Sequence, residues 1–139
     1  MEGQVVGSIG RGLLVLVGFA VDDTPECGMA LAAKIVNLRV FGNEAGKMDR
    51  SLLEAGGGVL CVSQFTLYGD CRKGRRPDYS RAASPEAARP LYEAFLKSLG
   101  DLLRASGVSL SAGRFQAMME VDSINDGPVT LLLDSQKIF

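Results

Sequence analysis

The sequence contains no histidine. In a chain of 139 residues that absence removes a Ser-His-Asp triad, a Cys-His pair and an imidazole general base at one stroke. Cysteine is sparse as well. Cys27, Cys61 and Cys71 are odd in number and form no CxxC pair, so neither a zinc site nor a disulfide framework is suggested, and a reducing cytosol is the simplest setting. No apolar stretch reaches the roughly 20 residues that a membrane-spanning helix needs, and the first residues lack the basic-then-apolar layout of a signal peptide. These absences predict a soluble, cytoplasmic protein with no membrane partner. No GxGxxG or P-loop spacing offers a seat to a nucleotide cofactor. A net charge of −1 argues against a generally basic nucleic-acid coat.

What is present suffices for a core. With 47% hydrophobic residues the chain can fold as one domain without staples. "QVVGSI" followed by Gly10-Arg11-Gly12 and the apolar run "LLVLVGFA" reads as a hairpin, the run buried on both faces. Thr24-Pro25-Glu26 is a helix start, with Thr24 as cap, and the helix should continue to about Arg39 with Met29, Ala32, Ile35, Val36 and Leu38 on its apolar side. "GNEAGK" is turn chemistry, followed by a short helical possibility at Ser51 to Ala55. "VLCVSQFTLYG" then reads as a strand. Ser84-Pro85-Glu86 opens a second helix that ends before Gly107, with Leu91, Phe95, Leu99 and Leu102 on one face and a bend expected at Pro90. "GRFQAMMEVDSI" and "PVTLLLD" read as two strands joined through Asn125-Asp126-Gly127. This order of elements predicts a sheet-dominated α/β domain with helices packed outside.

Any chemistry here must come from hydroxyls, amides and backbone groups. The scattered acids have simpler readings: Asp22-Asp23 as a helix start, Glu120 and Asp122 as the wet face of a strand. Cys61 lies inside an apolar run and reads as core. Cys71, beside Arg72 and Lys73, has no base partner for a nucleophilic role. On the predicted strand, alternation places Ser63, Phe65 and Leu67 on one side and Gln64, Thr66 and Tyr68 on the other. Burying an unpartnered hydroxyl or amide costs ~1–3 kcal/mol, so this set needs internal partners or a ligand. "DCRKGRRPDYSR" gathers Arg72, Lys73, Arg75 and Arg76 within five residues, which is either a solvated loop or a seat for a phosphate backbone.

"VSQFTLYGD" followed by "NDGPVT", with "GRGLLVLVG", "KIVNLRVF", "GKM" and "CRKGRRPDYSRAA" in consistent order, closely resembles the D-aminoacyl-tRNA deacylase family. The likeness runs from about Gly3 to Leu133. It implies mixed, largely antiparallel sheets forming a barrel-like core with helices outside. It also implies a homodimeric, cytoplasmic hydrolase without metal or cofactor, which cleaves the ester between a D-amino acid and the 3′-terminal ribose of tRNA and removes glycine mischarged on tRNA-Ala. The family's SQFT motif maps onto Ser63, Gln64, Phe65 and Thr66, the catalytic positions. Gly127 and Pro128 map onto a cis Gly-Pro motif that enters the partner's pocket and excludes L side chains, with Asn125, Ala117 and Met118 as further substrate-binding positions. Arg72, Lys73, Arg75 and Arg76 become contacts to tRNA. The role of Thr66 stays open between a nucleophile and a group that positions water assisted by the substrate's ribose 2′-OH.

The sequence departs from the family pattern twice. Members normally open with a strand and a short following segment, about fifteen residues that do not precede Met1 here, and their lack would expose a sheet edge. A start codon assigned too late or a truncation would account for that. Gln116 stands where relatives carry a small residue, and it is expected to narrow the pocket near Ala117 and Met118. Two other readings compete: an editing domain like that of archaeal threonyl-tRNA synthetase, and a catalytically silent RNA-binding or dimerisation module.

Overall fold

The computed structural model describes residues 3–139. Strand β1 (Gly12–Val17) is followed by helix α1 (Pro25–Asn37), then by the short strands β2 (Phe41–Gly42) and β3 (Met48–Arg50) and the single-turn helix α2 (Leu52–Ala55). Strand β4 (Gly58–Ser63), a 3-10 turn (Phe65–Tyr68), helix α3 (Pro85–Arg104) and strand β5 (Ser109–Ala112) complete the order.

Both long helices start where their sequence predicts. Each has proline in its first turn, where the missing N–H costs nothing, and an acid beside it. Ser84 caps α3 by accepting from the Ala87 N–H at 3.3 Å. Thr24 makes no such bond; its hydroxyl lies 3.4 Å from the Cys27 sulfur instead. Ser51 and Glu54 close a reciprocal capping box on α2, which is how four residues hold a helical turn. Pro90 lies within the continuous helix α3. Ala32, Ile35 and Val36 of α1 and Phe95 and Leu99 of α3 are buried as expected, joined by Tyr92 and Leu103, whereas Met29 and Leu102, also expected on buried faces, are 54% and 37% exposed. Tyr92 and Leu103 shift the α3 seam by one position from the expected stripe.

The principal sheet has the order β1-β4-β5 and is parallel throughout, Leu14 pairing with Leu60 and Leu60 with Ser111. The small β2-β3 pair is antiparallel, as are the isolated bridges Ala20–Ala82 and Asp70–Asp78, and neither sheet closes on itself. The expected barrel-like, largely antiparallel core is thus replaced by an open two-layer α/β arrangement. The reason lies in the crossovers: α1 and α3 return the chain to the same end of the sheet, which makes successive strands parallel. Segments 4–9, 113–124 and 128–134, expected as strands, form none, so the opening hairpin and the terminal strand pair are both corrected. A strand needs a neighbour for its backbone groups, and apolar side chains of these segments such as Val5, Met118 and Ile124 stand exposed instead.

The sheet's two faces differ. Val17, Val59 and Cys61 pack under α1 and α3, whereas Leu14 and Leu16 stand exposed on the other side. That second face floors an open concavity of about 2360 Å³, walled by segments 3–12 and 117–135. Among the described residues no helix is long and apolar enough to cross a membrane.

Candidate active site

A smaller cleft of about 640 Å³ opens at the carboxyl end of β1 and β4. Ser63, Gln64 and Phe65 line it, together with Tyr79, Phe115, Gln116, Ala117 and Met118. Its floor depends on a close approach of two chain segments. The Gln64 N–H donates to the Val17 carbonyl at 2.7 Å, and a Cβ at Gly18 would come within 2.9 Å of the Gln64 carbonyl, so glycine is needed there.

The polar stretch is not a strand beyond Ser63. β1 ends at Val17, so after Gln64 no neighbouring backbone remains to pair with, and Phe65–Tyr68 winds into the 3-10 turn. The Leu67 N–H donates to the Gln64 carbonyl at 3.2 Å and the Gly69 N–H to the Thr66 carbonyl at 2.9 Å. The predicted two-sided alternation from Ser63 to Tyr68 is thereby overturned. Phe65, Thr66 and Leu67 are all exposed, and the Phe65 ring meets Tyr79 edge-on with centroids 5.2 Å apart. Thr66 Oγ accepts from the Gln64 side-chain amide at 2.5 Å, and no carboxylate or amine among the described residues hydrogen-bonds it. The N–H groups of Phe65 and Thr66 begin the turn, a position with no partner inside the helix.

The structure joins these residues to Ala117 and Met118 but not to the second motif. Gly127 and Pro128 lie outside the cleft, and Asn125 faces the larger concavity instead. The Gly127-Pro128 peptide is cis. Asn125 holds this loop in shape, its Oδ1 accepting from the Val129 N–H and its Nδ2 donating to Thr130 Oγ, both at 3.0 Å. Gly127 and Pro128 are exposed.

The basic loop rises beside the 3-10 turn. Reciprocal backbone bonds between Asp70 and Asp78, at 2.7 and 2.9 Å, staple its two ends. Arg72 differs from its neighbours: Nε and Nη2 donate to the Asp70 carboxylate at 2.7 to 3.1 Å, and the Arg72 N–H adds a bond of 3.0 Å. These donors hold the Asp70 carboxyl down at about 2. Lys73, Arg75 and Arg76 are exposed and enter no ion pair among the described residues. Cys71 is exposed on the same loop. Cys61 is core, as expected, and burial pushes its thiol up to about 12.

Several cleft residues were not read from the sequence, Tyr79 and Phe115 among them. Tyr79 and Phe115 are aromatic residues beside turn chemistry, and that adjacency was the available signal.

A family model described as D-Tyr-tRNA(Tyr) deacylase matches residues 1–134. Proteins named D-aminoacyl-tRNA deacylase from Desulforudis audaxviator and Thermus aquaticus are 57% and 56% identical over 98% and 97% of this chain, and the matches span 89% and 86% of those proteins. Among solved structures, one described as c-Myc DNA unwinding element binding protein is similar at a TM-score of 0.80 and 41% identity, covering 88% of this chain and 81% of the other. A second, described as a probable eukaryotic D-amino acid tRNA deacylase, shares the fold at a TM-score of 0.60 and 23% identity, covering 72% and 57%. The chain belongs to the D-Tyr-tRNA(Tyr) deacylase family.

Proposed function

We propose that this protein hydrolyses the ester of D-aminoacyl-tRNA in the cytoplasm, releasing the free D-amino acid and the tRNA, and that it also removes glycine mischarged on tRNA-Ala. Family membership supports the reaction, and the cleft supports a mechanism without side-chain acid–base chemistry. Water adds to the ester carbonyl carbon, the oxyanion forms near the Phe65 and Thr66 N–H groups, and collapse expels the ribose hydroxyl while the carboxyl product loses its proton. A single such donor is worth roughly 10²–10³ in kcat. Thr66, whose oxygen already accepts from an amide, positions water or substrate; the neighbouring ribose 2′-OH assists the attack. An aminoacyl ester is labile enough for alignment of this kind to suffice. Lys73, Arg75 and Arg76 receive the tRNA backbone, and Arg72, paired with Asp70, shapes the loop that carries them.

The protein works as a homodimer in this reading, with Gly127-Pro128 of one subunit completing the cleft of the other. The observation that carries it is the separation of the two motifs: within one chain Ser63, Gln64 and Phe65 share a cleft with Ala117 and Met118, while Gly127 and Pro128 lie outside it. The exposed Leu14 and Leu16 face and the outer edge of β1 offer surface for a second copy or for a preceding strand. A backbone wall at Gly127-Pro128 would clash with an L side chain whatever its identity, which suits breadth over D-amino acids. Subunit mixing tests the arrangement. Ala117→Phe, which fills the cleft, and Gly127→Ala should each inactivate a homodimer, and their mixture should recover about one quarter of wild-type activity, because half the dimers carry one intact site. No recovery from a mixture shown to exchange subunits would place both motifs in the same chain's site.

A further inference from the structure

Arg89 and Tyr92 stand one turn apart on α3, so their side chains share a face. Both meet Phe115. The Arg89 guanidinium carbon lies 4.8 Å from the centre of the Phe115 ring, and the Tyr92 ring centre is 5.8 Å away. Tyr92 also donates its hydroxyl to the Cys61 carbonyl of β4 at 3.3 Å, so α3 ties this aromatic to the strand that ends at Ser63.

Arg89 has a second partner. Its Nη2 donates to Gln116 Oε1 at 3.3 Å. Gln116 is the third residue of a turn closed by the Ala117 N–H on the Arg114 carbonyl, at 3.3 Å, and its φ is +63°. Turns of that hand favour glycine or asparagine at this position, and a longer residue there is costly. The cleft wall is therefore built on a turn that its own residue does not favour, and one guanidinium holds both of its central side chains. Arg89 itself does not line the cleft.

We infer that Arg89 is a positioning residue for the substrate cleft: by clamping Phe115 and Gln116 to α3, it fixes the turn that leads into Ala117 and Met118 and keeps the Gln116 side chain from folding across the opening. The inference rests on the proposed reading of this cleft as the seat of the aminoacyl end. Arg89 and Gln116 are exposed and Phe115 is half-buried, so the clamp is a modest one, and a contact of this type shifts an equilibrium about two- to fivefold.

The test is a double-mutant cycle in the full chain, using D-Tyr-tRNA as substrate and thermal unfolding as a second readout. Arg89→Ala should raise KM about two- to fivefold with kcat little changed while Gln116 is present, and should have no further effect on KM when added to Gln116→Gly. Arg89→Lys, which keeps the charge and loses the planar stack, should restore little. Rescue by lysine, with a KM that tracks salt, would make Arg89 a phosphate contact and overturn the clamp; an equal effect of Arg89→Ala in both backgrounds would overturn it too. The unfolding cycle decides the contact independently of turnover: the melting shift of Arg89→Ala should shrink in the Gln116→Gly background, and strict additivity would refute it. Absence of any hydrolysis by the wild-type chain would count against the proposed function, with the unfolding cycle still deciding the clamp.

Discussion

Asp70→Asn should make this protein bind tRNA more tightly and with a steeper dependence on salt. Among the described residues Asp70 is the one acid that neutralises a member of the basic loop, through its bonds of 2.7 to 3.1 Å to the Arg72 guanidinium. Lys73, Arg75 and Arg76 have no such partner among the described residues. Each phosphate neutralised contributes a slope of about −0.7 to −0.9 to log K against log salt, so three free cations predict roughly −2 to −2.7 from this loop. Releasing Arg72 adds a fourth, for about −2.8 to −3.6. Asparagine retains an Oδ1 to accept from the Arg72 N–H, and the Asp70-Asp78 backbone staple does not involve the side chain, so the loop keeps its shape. Fluorescence anisotropy of labelled, uncharged tRNA, titrated between about 50 and 200 mM salt, measures the slope directly. Single Lys73→Ala, Arg75→Ala and Arg76→Ala changes should each remove about 0.7 to 0.9 from it. An unchanged slope in Asp70→Asn, or a loss in Arg72→Ala as large as in Arg75→Ala, would refute the division of labour within the loop.

Thr66→Ala should retain most of the kcat on D-Tyr-tRNA, because the Thr66 oxygen is held by the Gln64 amide and has no base beside it; complete loss of turnover with tRNA binding intact would return Thr66 to the role of nucleophile. Leu99→Ala removes a fully buried side chain between α3 and the sheet and should cost about 2–5 kcal/mol in urea unfolding; a cost under about 1 kcal/mol would mean the core does not pass through that position. The Asp70 carboxyl is depressed in the folded chain, to about 2, so its pairing with Arg72 stabilises the loop above the ordinary carboxylate range and is lost as pH falls through about 2. NMR titration of the Asp70 carboxyl carbon should therefore show a midpoint well below the ordinary aspartate range, and a midpoint within that range would show that the pair does not form in solution.

Local chemistry was legible in the sequence, and pairing between distant segments was not. Pro25 and Pro85 mark their helix starts because proline at a first turn is a local rule, and Cys61 is core because its neighbours are apolar. The parallel sheet escaped detection because nothing within β1 or β4 states which strand it will meet. The polar stretch shows the same limit: whether Phe65 to Tyr68 stays extended depends on where β1 stops, forty-odd residues earlier, at Val17. "DCR" contains both Asp70 and Arg72, yet their ion pair requires the turn geometry that brings residues two apart together. The contact between Arg89 and Gln116, residues 27 apart in the chain, needs the docking of α3 against the turn. Of the candidate site, Ser63, Gln64 and Phe65 meet Ala117 and Met118 in one cleft, whereas Thr66, Gly127 and Pro128 do not line it.

The most direct measurement is the release of D-tyrosine from D-Tyr-tRNA by the purified chain, with L-Tyr-tRNA under the same conditions as control. Rapid hydrolysis of the D ester with the L ester left intact is the predicted result. Equal hydrolysis of both would contradict exclusion by the Gly127-Pro128 wall, and hydrolysis of neither would contradict the proposed function itself.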